Sequence, residues 1–435
     1  MIVQASAARL PLADDSVHCV VTSPPYWGLR RYDGERQAQC WPDGWVGQLG
    51  LEPSPWAYIE HLVDVMREVR RSLRPDGSLW LNLGDAYAND GKCGGESGGK
   101  QAYLPDADGQ QWGRSGRRSG MAAKNLLGLP WRVALALQAD GWVLRSEIIW
   151  HKTTPMPESV RDRPTRAHEH IFLLAKSARY YYDDIGSREP AAGTAHARGA
   201  GEGPKAVSAS SAVRLPRSPA AQTTGRIRSK QNASFSAAVS GLVTERRQRS
   251  VWAIGGDPYR GAHYACFPRE LARRCIVAGT SERGVCARCG QPWVRVVERQ
   301  RVGDWTRNKA LRAQGISTNR FTAKVEPGDG AAVGNLAASR QEARERSGQH
   351  DGCFRQPRAI GWRASCTCGA EPVPAIVLDP FGGSGTVGEV AAMLGRRAVL
   401  VDVAYQQLQR ERVPALLALA EAAGGVGSFV GTGGV

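Results

Sequence analysis

The sequence predicts an α/β protein built on a doubly wound, mostly parallel sheet, and three observations carry this prediction. Apolar, β-branched segments alternate with segments of helical periodicity from the start of the chain. The first apolar segment ends at Ser23-Pro24-Pro25, and a late one runs into a glycine-rich loop at residues 379–385. Open sheets of this class bind ligands beyond the carboxyl ends of their strands. We therefore expect both loops at one edge of the sheet.

The elements of the first part of the chain follow from the hydrophobic period. Runs of apolar and β-branched residues predict strands, and apolar residues spaced three and four apart predict helices. The Pro75-Asp76-Gly77 sequence predicts a turn after the first helix. The expected strands span residues 16–22, 78–83, 142–150 and 169–175, and the expected helices span residues 56–73 and 124–139.

The later elements are fewer and more widely separated. Residues 89–120 are rich in Gly, Ser and Arg and are interpreted as a loop. Helical spacing predicts a helix over residues 263–279, with Pro268 near its first turn. Apolar strands are expected at residues 375–379 and 397–401, on either side of the glycine loop and its helix.

The charge balance favours a polyanionic partner. The 435 residues include 57 Lys and Arg against 41 Asp and Glu, a formal net charge of +16. Each phosphate contact of such a protein releases condensed counterions. No apolar run is long enough to span a membrane, and the N-terminal residues lack a signal-peptide pattern. We therefore expect a cytoplasmic protein with reduced thiols and no membrane partner.

The glycine loop has the features of a nucleotide-cofactor site. Gly383, Gly385 and Gly388 have the G-x-G-x-x-G spacing after an apolar strand. Glycines permit a sharp turn and close approach of a ligand, and the following helix offers free N–H donors. Asp402 ends the next strand, where a carboxylate can accept hydrogen bonds from ribose hydroxyls. This pattern leaves NAD and S-adenosylmethionine both open.

The loop of Ser23, Pro24, Pro25 and Tyr26 favours S-adenosylmethionine. An exocyclic amino group is a poor nucleophile because its lone pair is delocalised into the ring. A methyltransferase must therefore offer acceptors to the two amino hydrogens. The Ser23 hydroxyl and the Pro24 carbonyl are suitable acceptors, and the two prolines stiffen the loop. Tyr26 offers an aromatic face for a base flipped out of the duplex.

This combination resembles the β group of amino-methylating DNA methyltransferases, in which the catalytic motif precedes the cofactor loop. Here residues 23–26 precede residues 379–385, which matches that permuted order. Further segments that resemble the family lie at residues 80–87, 149–157, 163–169 and 263–268. The resemblance as a whole covers residues 1–187, 251–280 and 375–415.

The resemblance implies a Rossmann-like S-adenosylmethionine-dependent methyltransferase fold with permuted motifs. It also implies double-stranded DNA as the partner and direct methyl transfer, without a covalent enzyme intermediate. It assigns to the cofactor Asp379, Pro380, Phe381, Gly383, Gly385, Thr386, Asp402, Phe267 and Pro268. Beside the catalytic and pocket segments, Trp27, Trp150 and Lys152 are the candidates for the base pocket. The family usually has Gly-Asp near the chain start, with the acid reaching the adenine. Ala5-Ser6 stand there, and Ser6 cannot supply that carboxylate.

The target base is cytosine or adenine. The resemblance implies that Ser-Pro-Pro-Tyr accompanies cytosine N4 methylation more often, and Asp- or Asn-Pro-Pro-Tyr adenine N6 methylation. A hydroxyl and a carboxylate can both accept an amino hydrogen, so Ser23 favours cytosine N4 and leaves adenine N6 open. The sequence contains no Pro-Cys pair, which argues against methylation at carbon 5 of cytosine.

Two cysteine pairs predict a structural zinc site. Cys286 and Cys289 form a C-x-x-C knuckle, Cys366 and Cys368 form a C-x-C knuckle, and each is followed by glycine. Two knuckles can close a tetrahedral four-thiolate site that folds on the metal. Arginines such as Arg295 suit phosphate or guanine contacts, so the region is also interpreted as target-recognising. Four unrelated thiols are the alternative.

Two other function classes stay open. A nicotinamide-dependent oxidoreductase would use the same glycine loop, but few residues follow Asp402 to build a substrate domain. A catalytically idle, zinc-containing DNA-binding protein would keep the fold, and Ser6 in place of an acid favours it. Cofactor titration separates the idle protein from the enzyme. A homodimer and a separate restriction endonuclease are the open hypotheses for protein partners.

These interpretations divide the chain into six segments. Residues 188–250 hold few large apolar side chains and cannot bury enough surface to offset the entropy of ordering. The expected segments are the catalytic part (1–187), a basic low-complexity linker (188–250), the cofactor-side helix (251–280), a zinc-knuckle and target-recognition insertion (281–374), the cofactor-binding part (375–422) and a disordered tail (423–435).

Overall fold

A computed structural model of the protein describes residues 1–29, 38–88, 119–190, 245–257, 268–302 and 354–413. Most of the loop expected at 89–120, most of the linker expected at 188–250, Phe267, and the tail expected at 423–435 lie outside these residues. The described strands are β1 (Ile2–Gln4), β2 (Val17–Thr22), β3 (Gln39–Cys40), β4 (Val46–Gly47), β5 (Leu73–Leu83), β6 (Val143–Lys152), β7 (His168–Ala175), β8 (Glu189–Pro190), β9 (Glu245–Arg246), β10 (Val251–Ile254), β11 (Val285–Cys286), β12 (Trp293–Val302), β13 (Phe354–Ala364), β14 (Pro372–Val373), β15 (Ile376–Asp379) and β16 (Arg397–Asp402). The described helices are α1 (Pro55–Ser72), α2 (Leu129–Ala139), α3 (Arg269–Gly279), α4 (Thr386–Met393) and α5 (Gln406–Arg412).

An eight-stranded sheet forms the centre of the described fold, in the order β1-β16-β15-β2-β5-β7-β6-β10. The strands β1, β16, β15, β2 and β5 pair in parallel in that order, and β10 is parallel to β6. Strand β7 is antiparallel to both of its neighbours, β5 and β6. The predicted doubly wound, mostly parallel sheet is therefore confirmed, and the reversed β7 is a feature that the hydrophobic pattern did not reveal.

Alternate residues of β5 pack against helices on the two faces of the sheet. Leu79 and Leu81 belong to one buried cluster, which also contains Leu62 of α1. Trp80 belongs to a second buried cluster, which also contains Ile276 of α3. Full burial of each aliphatic side chain stabilises the fold by about 1.5–3 kcal/mol. Burial on both faces explains why the central strands are continuous apolar runs in the sequence.

The turn expected at Pro75-Asp76-Gly77 is a bulge inside β5, so this prediction was wrong. Val17 pairs with Leu73, and two residues later Cys19 pairs with Ser78. The chain therefore inserts extra residues between two paired positions without leaving the sheet, as bulges do. Pro75 and Gly77 are compatible with a turn and also with a bulge inside a strand.

The helix expected from residue 124 begins only at Leu129. Lys124 and Gly128 both have left-handed backbone, with φ of 71° and 66°, and this conformation interrupts a helix. The Asp85 carboxylate accepts the N–H groups of Gly128 at 3.1 Å and Leu129 at 3.0 Å. A carboxylate at this position also complements the helix dipole, so Asp85 fixes the start of α2.

The chain divides into two compact units. The first contains Met1–Ser187, Gln248–Arg295 and Trp362–Val435, and it includes the eight-stranded sheet and both cysteine pairs. The second contains Arg188–Arg247 and Val296–Gly361, and β8 pairs with β9 within it. Among the helices of the described ranges, none combines the length and the apolar character that a bilayer crossing demands.

Candidate active site and cysteine cluster

A cavity of about 1410 Å³ opens at the carboxyl edge of the sheet, and both predicted loops line it. Strands β2 and β15 are parallel neighbours, so the loops that follow them lie side by side. One hydrogen bond joins the two strand ends directly: Thr22 Oγ1 donates to Asp379 Oδ1 at 2.7 Å. The edge predicted for the ligands is therefore where this cavity lies.

Asp379 is buried at the start of the glycine loop, with 3 % of its surface exposed. Its Oδ1 accepts the Thr22 hydroxyl and also the N–H of Phe381 at 3.1 Å. Burial raises the pKa of the Asp379 carboxyl to about 7. This carboxyl therefore shapes the loop from within and presents only a small surface to the cavity.

Asp402 orders the glycine loop from the neighbouring strand. Its Oδ2 accepts the N–H of Gly383 at 2.8 Å, and its Oδ1 accepts the N–H of Ala404 at 3.0 Å. Burial raises the pKa of the Asp402 carboxyl above its usual range. Each carboxylate oxygen can accept a further hydrogen bond, and Asp402 is among the residues that line the cavity.

Of the other residues assigned to the cofactor, four line the cavity and two described ones do not. Pro380, Phe381, Gly383 and Thr386 line the cavity. Gly385 is the left-handed residue before α4, with φ of 84°, where a side chain would be strained. Pro268 directly precedes α3, outside the described lining of the cavity. Phe267 lies outside the described residues.

The first strand brings Ser6 to the same cavity. The Ser6 hydroxyl donates to Gln39 Oε1, and its oxygen accepts the N–H of Ala8 at 3.1 Å. Both Ser6 and Gln39 line the cavity. An uncharged hydroxyl–amide pair therefore stands at the position for which the resemblance implied an acid.

Glu169 on β7 gathers the polar groups of the Ser-Pro-Pro-Tyr loop. Its Oε2 accepts the Tyr26 hydroxyl at 2.7 Å and Asn82 Nδ2 at 2.8 Å. Its Oε1 accepts Lys152 Nζ at 2.5 Å. Asn82 Nδ2 also donates to the Tyr26 oxygen at 2.8 Å, and the Ser23 hydroxyl donates to that oxygen at 3.1 Å.

The direction of these hydrogen bonds follows from their chemistry. A carboxylate only accepts, so the single hydroxyl hydrogen of Tyr26 points to Glu169. The Tyr26 oxygen can then only accept, so the Ser23 hydroxyl hydrogen points to Tyr26. Burial and the neighbouring Glu169 raise the pKa of Tyr26 well above its usual range, which keeps that hydrogen in place. Asn82 Nδ2 also approaches Ser23 Oγ at 3.5 Å, a longer contact than its 2.8 Å hydrogen bonds to Tyr26 and Glu169. Ser23 Oγ therefore keeps acceptor capacity for a ligand.

Glycines and backbone contacts hold this loop in its shape. A Cβ built on Gly84 would lie 2.6 Å from Tyr26 Cε2, so the tyrosine ring requires a glycine there. The Tyr58 hydroxyl donates to the Pro25 carbonyl at 2.9 Å. No hydrogen bond from a described residue reaches the Pro24 carbonyl, which lies in the loop that lines the cavity.

Trp27 and Trp150 line the cavity as largely packed walls, with 7 % and 6 % of their surfaces exposed. Their indole N–H groups donate to the carbonyls of Glu52 and Ile254, each at 3.0 Å. Lys152 Nζ lies 4.9 Å from the centroid of the Trp150 ring. Stacking of either tryptophan on a base stays a prediction, whereas Lys152 presents a cation inside the cavity.

The sequence did not assign roles to Asn82, Gly84 or Glu169. The first two lie in the segment at residues 80–87 that resembles the family, and Glu169 lies in another such segment. A usable signal was present at Asn82, because it is the polar residue of an otherwise apolar run in β5 and is 2 % exposed. Buried polar side chains of this kind need partners.

The four cysteines predicted as ligands come together. The Sγ atoms of Cys286, Cys289, Cys366 and Cys368 all lie within 4.8 Å of one another. Strand β11 contains Cys286 and pairs antiparallel with β14, which follows Cys368 closely in sequence. This pairing brings the two knuckles together. The glycine after each pair has left-handed backbone, with φ of 70° at Gly290 and 66° at Gly369, as tight turns require.

The cysteine cluster lies at the opposite edge of the sheet from the cavity. His18, near the start of β2, accepts the N–H of Ile376 on Nδ1 at 3.1 Å. Its Nε2 therefore carries the hydrogen and donates to the Gly290 carbonyl at 3.2 Å. From His18 to Ser23 the strand spans about 15–20 Å. The knuckle is thus attached to the amino-terminal end of the strand whose other end leads to Ser23.

Arg295, predicted to contact DNA, is held by protein groups. Its Nε lies 2.9 Å from both carboxylate oxygens of Asp183, and its Nη2 donates to Glu282 at 2.5 Å. Its guanidinium also stacks 4.3 Å from the centroid of the Trp362 ring. These contacts give Arg295 a role in holding the cysteine region together.

The chain is similar in sequence and in fold to known proteins. Residues 17–287 match the N6/N4 methyltransferase family model, described as DNA methylase. The type II methyltransferase M.SmaI of Serratia marcescens is 39 % identical over 271 residues, which cover 61 % of this chain and 70 % of that protein. The type II methyltransferase M.Cfr9I of Citrobacter freundii is 38 % identical over 275 residues, 62 % of this chain and 68 % of that protein. A solved structure of a putative DNA modification methylase from Thermus thermophilus, complexed with S-adenosyl-L-methionine, is 19 % identical with a TM-score of 0.40, covering 95 % of this chain and 92 % of that one.

Proposed function

Because the chain belongs to the N6/N4 family of DNA methylases, we propose that it transfers a methyl group from S-adenosylmethionine to the N4 amino group of cytosine in duplex DNA. The observation that carries this proposal is the orientation of Ser23. Its hydroxyl hydrogen is committed to Tyr26, and the one donor among the described residues that approaches its oxygen, Asn82 Nδ2, does so only at 3.5 Å. Ser23 lines the cavity, so its oxygen can act there as an acceptor. An amino group is the ligand that such an acceptor suits.

The cavity fits the proposed cofactor in size and in chemistry. Its volume of about 1410 Å³ exceeds the roughly 300–1,000 Å³ typical of a small-molecule site, which leaves room for a cofactor and a base. The glycine loop offers close backbone approach, and Asp402 offers acceptor oxygens for ribose hydroxyls. S-adenosylmethionine supplies a methyl group bound to a sulfonium, which is strongly electrophilic. Asp379, Phe381, Gly383 and Asp402 are the residues that would hold it.

The residues of the Ser-Pro-Pro-Tyr loop hold the target amino group. Ser23 Oγ accepts one amino hydrogen and the Pro24 carbonyl accepts the other, which draws the nitrogen lone pair out of conjugation with the ring. Tyr58, through the Pro25 carbonyl, keeps the loop rigid while the base binds. Such positioning supplies much of a transfer reaction's acceleration. No covalent intermediate with the protein is needed, and the amino nitrogen would lose one proton to solvent as it gains the methyl group.

Cytosine N4 is favoured over adenine N6 by one feature. Serine at position 23 is the residue that accompanies N4 methylation more often in the family that the sequence resembles. Lys152 Nζ places a donor in the cavity, held by Glu169 at 2.5 Å, and it suits the ring acceptor beside the amino group of either base, N3 of cytosine or N1 of adenine. Adenine N6 is the alternative, with the same residues in the same roles.

The first experiment is expression in a host that lacks DNA modification, followed by mass spectrometry of the nucleosides from purified DNA. We expect N4-methylcytosine, absent when Ser23→Ala is expressed at the same level. N6-methyladenine in its place would overturn the cytosine assignment and retain the mechanism. If neither base is formed while the protein binds DNA without binding S-adenosylmethionine, the enzyme proposal fails in favour of the idle DNA-binding protein.

A structural zinc ion held by Cys286, Cys289, Cys366 and Cys368 is the second part of the proposal. Four sulfur atoms within 4.8 Å of one another suit a tetrahedral thiolate site, where Zn–S bonds are about 2.3 Å. Metal analysis of purified protein is expected to give one zinc per chain, and Cys368→Ser should lose it. Cys40→Ser, at an exposed cysteine outside the cluster, should keep it. Protein without zinc, or with zinc in both variants, would refute the site.

Restriction–modification is the biological setting that we propose. Support comes from M.SmaI and M.Cfr9I, which are both named type II methyltransferases. DNA modified by this protein should then resist a restriction endonuclease that recognises the same sequence. Digestion of plasmids from expressing cells with a panel of endonucleases tests this. If every endonuclease of the panel cleaves plasmid DNA that contains the methylated base, the protein does not protect those sites.

A further inference from the structure

An exposed methionine stands at the rim of the cavity. Residues 153–157 follow β6 directly and begin one residue after Lys152, whose amino group lies inside the cavity. Met156 lines the rim and has 83 % of its surface exposed, more than any other large apolar side chain among the described residues. Its neighbours Pro155 and Pro157 have fixed φ angles, so the backbone that carries it is stiff.

The segment after Met156 is fastened to the rest of the cavity wall. Glu158 accepts Arg163 Nη1 at 2.5 Å within the segment. The Arg163 guanidinium lies 4.0 Å from the centroid of the Tyr87 ring, and Asp162 accepts Lys124 Nζ at 2.6 Å. With β6 on one side and these contacts on the other, Met156 projects from a segment held at both ends.

Cationic side chains surround the same rim. Lys124, Arg161, Arg163 and Arg166 all line the cavity, and Asp162 and Glu158 on the same lining pair with Lys124 and Arg163. Arg161 and Arg166 have no such carboxylate partner among the described residues and leave these six residues with a net positive charge. Charges of this sign attract the phosphates of a duplex and fix its position without reading its sequence. Met156 is an exposed apolar side chain on the same cavity lining as these cations. A duplex whose phosphates they contact would bring its base pairs within reach of Met156.

We propose that Met156 enters the DNA base stack at the position that the target base vacates. This inference rests on the proposed function, because a base must leave the duplex to reach Ser23. Flipping removes stacking on both sides of the target, and an apolar wedge restores part of it. Methionine is unbranched and polarizable, so it can fill an irregular gap of this kind. Burial in the stack also removes its exposed surface from water.

The experiment uses the full chain and a duplex that contains the sequence found methylated in the expressing host. Single-turnover methylation is measured on the matched duplex and on one in which the target base is mispaired, since a mispaired base leaves the stack more readily. The variants are Met156→Ala, Met156→Leu and Met393→Ala. Met393 is the control, because it is 74 % exposed at the end of α4 and outside the described lining of the cavity.

For Met156→Ala we expect a rate about tenfold or more below wild type on the matched duplex and within about threefold of it on the mispaired duplex. Met156→Leu should retain most of the wild-type rate, and Met393→Ala all of it. If wild type methylates the matched duplex and Met156→Ala does so equally well, the wedge is refuted. An equal loss on both duplexes also refutes it. If wild type methylates neither, the proposed function fails first and the wedge falls with it.

Discussion

Glu169 accepts the hydroxyl hydrogen of Tyr26 at 2.7 Å, and this contact orients a third group, the hydroxyl of Ser23. An acceptor-only carboxylate sets the direction of each hydrogen bond in turn. Without it, the tyrosine hydrogen is free to turn towards Ser23, and the serine hydrogen can turn into the cavity. A donor there would repel the amino group that has to be bound. Glu169 therefore acts as a positioning residue.

Glu169→Gln is the first prediction. The glutamine amide can donate to the Tyr26 oxygen, so the Ser23 hydroxyl hydrogen is no longer directed to Tyr26. We expect kcat to fall by roughly tenfold to hundredfold, while KM for S-adenosylmethionine stays within about threefold because the glycine loop is untouched. Steady-state kinetics on unmethylated DNA that contains the target sequence measures both kcat and KM. Tyr26→Phe should lower kcat similarly, and the double variant should fall little further, since the two act in one network.

The matched control for Glu169→Gln is Glu147→Gln. Glu147 also accepts from a β7 side chain, His170 Nδ1 at 2.6 Å, but it lies outside the described lining of the cavity. Its kcat should stay near wild type. A loss as large as that of Glu169→Gln would attribute the effect to general disturbance of β6 and β7 and refute the positioning role.

Gly84→Ala is the second prediction. The new methyl group would lie 2.6 Å from Tyr26 Cε2, so the ring has to move away from Ser23 and Glu169. Misplacement of a positioning group by about 1 Å lowers rates by roughly a hundredfold, and we expect a loss of that order in single-turnover methylation. Gly256→Ala is the control, because no atom lies within 4 Å of its Cβ position. Equal rates for both variants would contradict the packing argument.

The two loops of the site could be predicted because each is contiguous in sequence. Ser23 to Tyr26 follow an apolar run, and parallel neighbouring strands place both loops at one edge. Glu169 could not be assigned in this way. Its position beside Asn82 depends on the antiparallel register of β7, in which Asn82 pairs with Ile171. A register between strands far apart in sequence is set by packing, and no local motif records it.

The grouping of the four cysteines could be predicted from the sequence, whereas their position in the fold could not. Their spacing was enough to group four sulfur atoms, because knuckle geometry is local. Their position at the amino-terminal edge of the sheet depends on His18 and the Gly290 carbonyl, which are widely separated in sequence. The same holds for Arg295, whose pairing with Asp183 could not be foreseen from an arginine-rich segment.

The pH dependence of stability provides a third prediction, centred on Asp379. Burial raises the pKa of its carboxyl to about 7, against about 4 in an unfolded chain. Between these values the folded protein binds more protons than the unfolded chain, so this group makes stability fall as pH rises, up to about pH 7. Asp379→Asn cannot titrate. Between about pH 4 and pH 8, the free energy of unfolding of this variant should therefore fall by a few kcal/mol less than that of wild type.

Urea unfolding at several pH values measures this difference. Other groups titrate in both proteins, so the informative quantity is the gap between wild type and variant at each pH. Asp14→Asn serves as the control, because the Asp14 side chain is 73 % exposed and lies outside the described lining of the cavity. The decisive comparison is how the gap between wild type and Asp379→Asn changes with pH, set against the gap between wild type and Asp14→Asn. Equal pH dependence of the two gaps would show that burial of Asp379 does not favour its protonated form.

The fourth prediction separates stability from catalysis at the cysteine cluster. The cluster contacts β2 at His18, about 15–20 Å of strand away from Ser23, and it borders none of the described cavity wall. Cys368→Ser should lower Tm by more than about 5 °C, because metal binding contributes folding free energy. The Kd for S-adenosylmethionine, measured well below that Tm, should change by less than about threefold, since distant sites are nearly additive. Calorimetry and cofactor titration give the two values. A large loss of cofactor affinity with unchanged Tm would mean that the cluster acts on the cavity and does not simply hold the fold together.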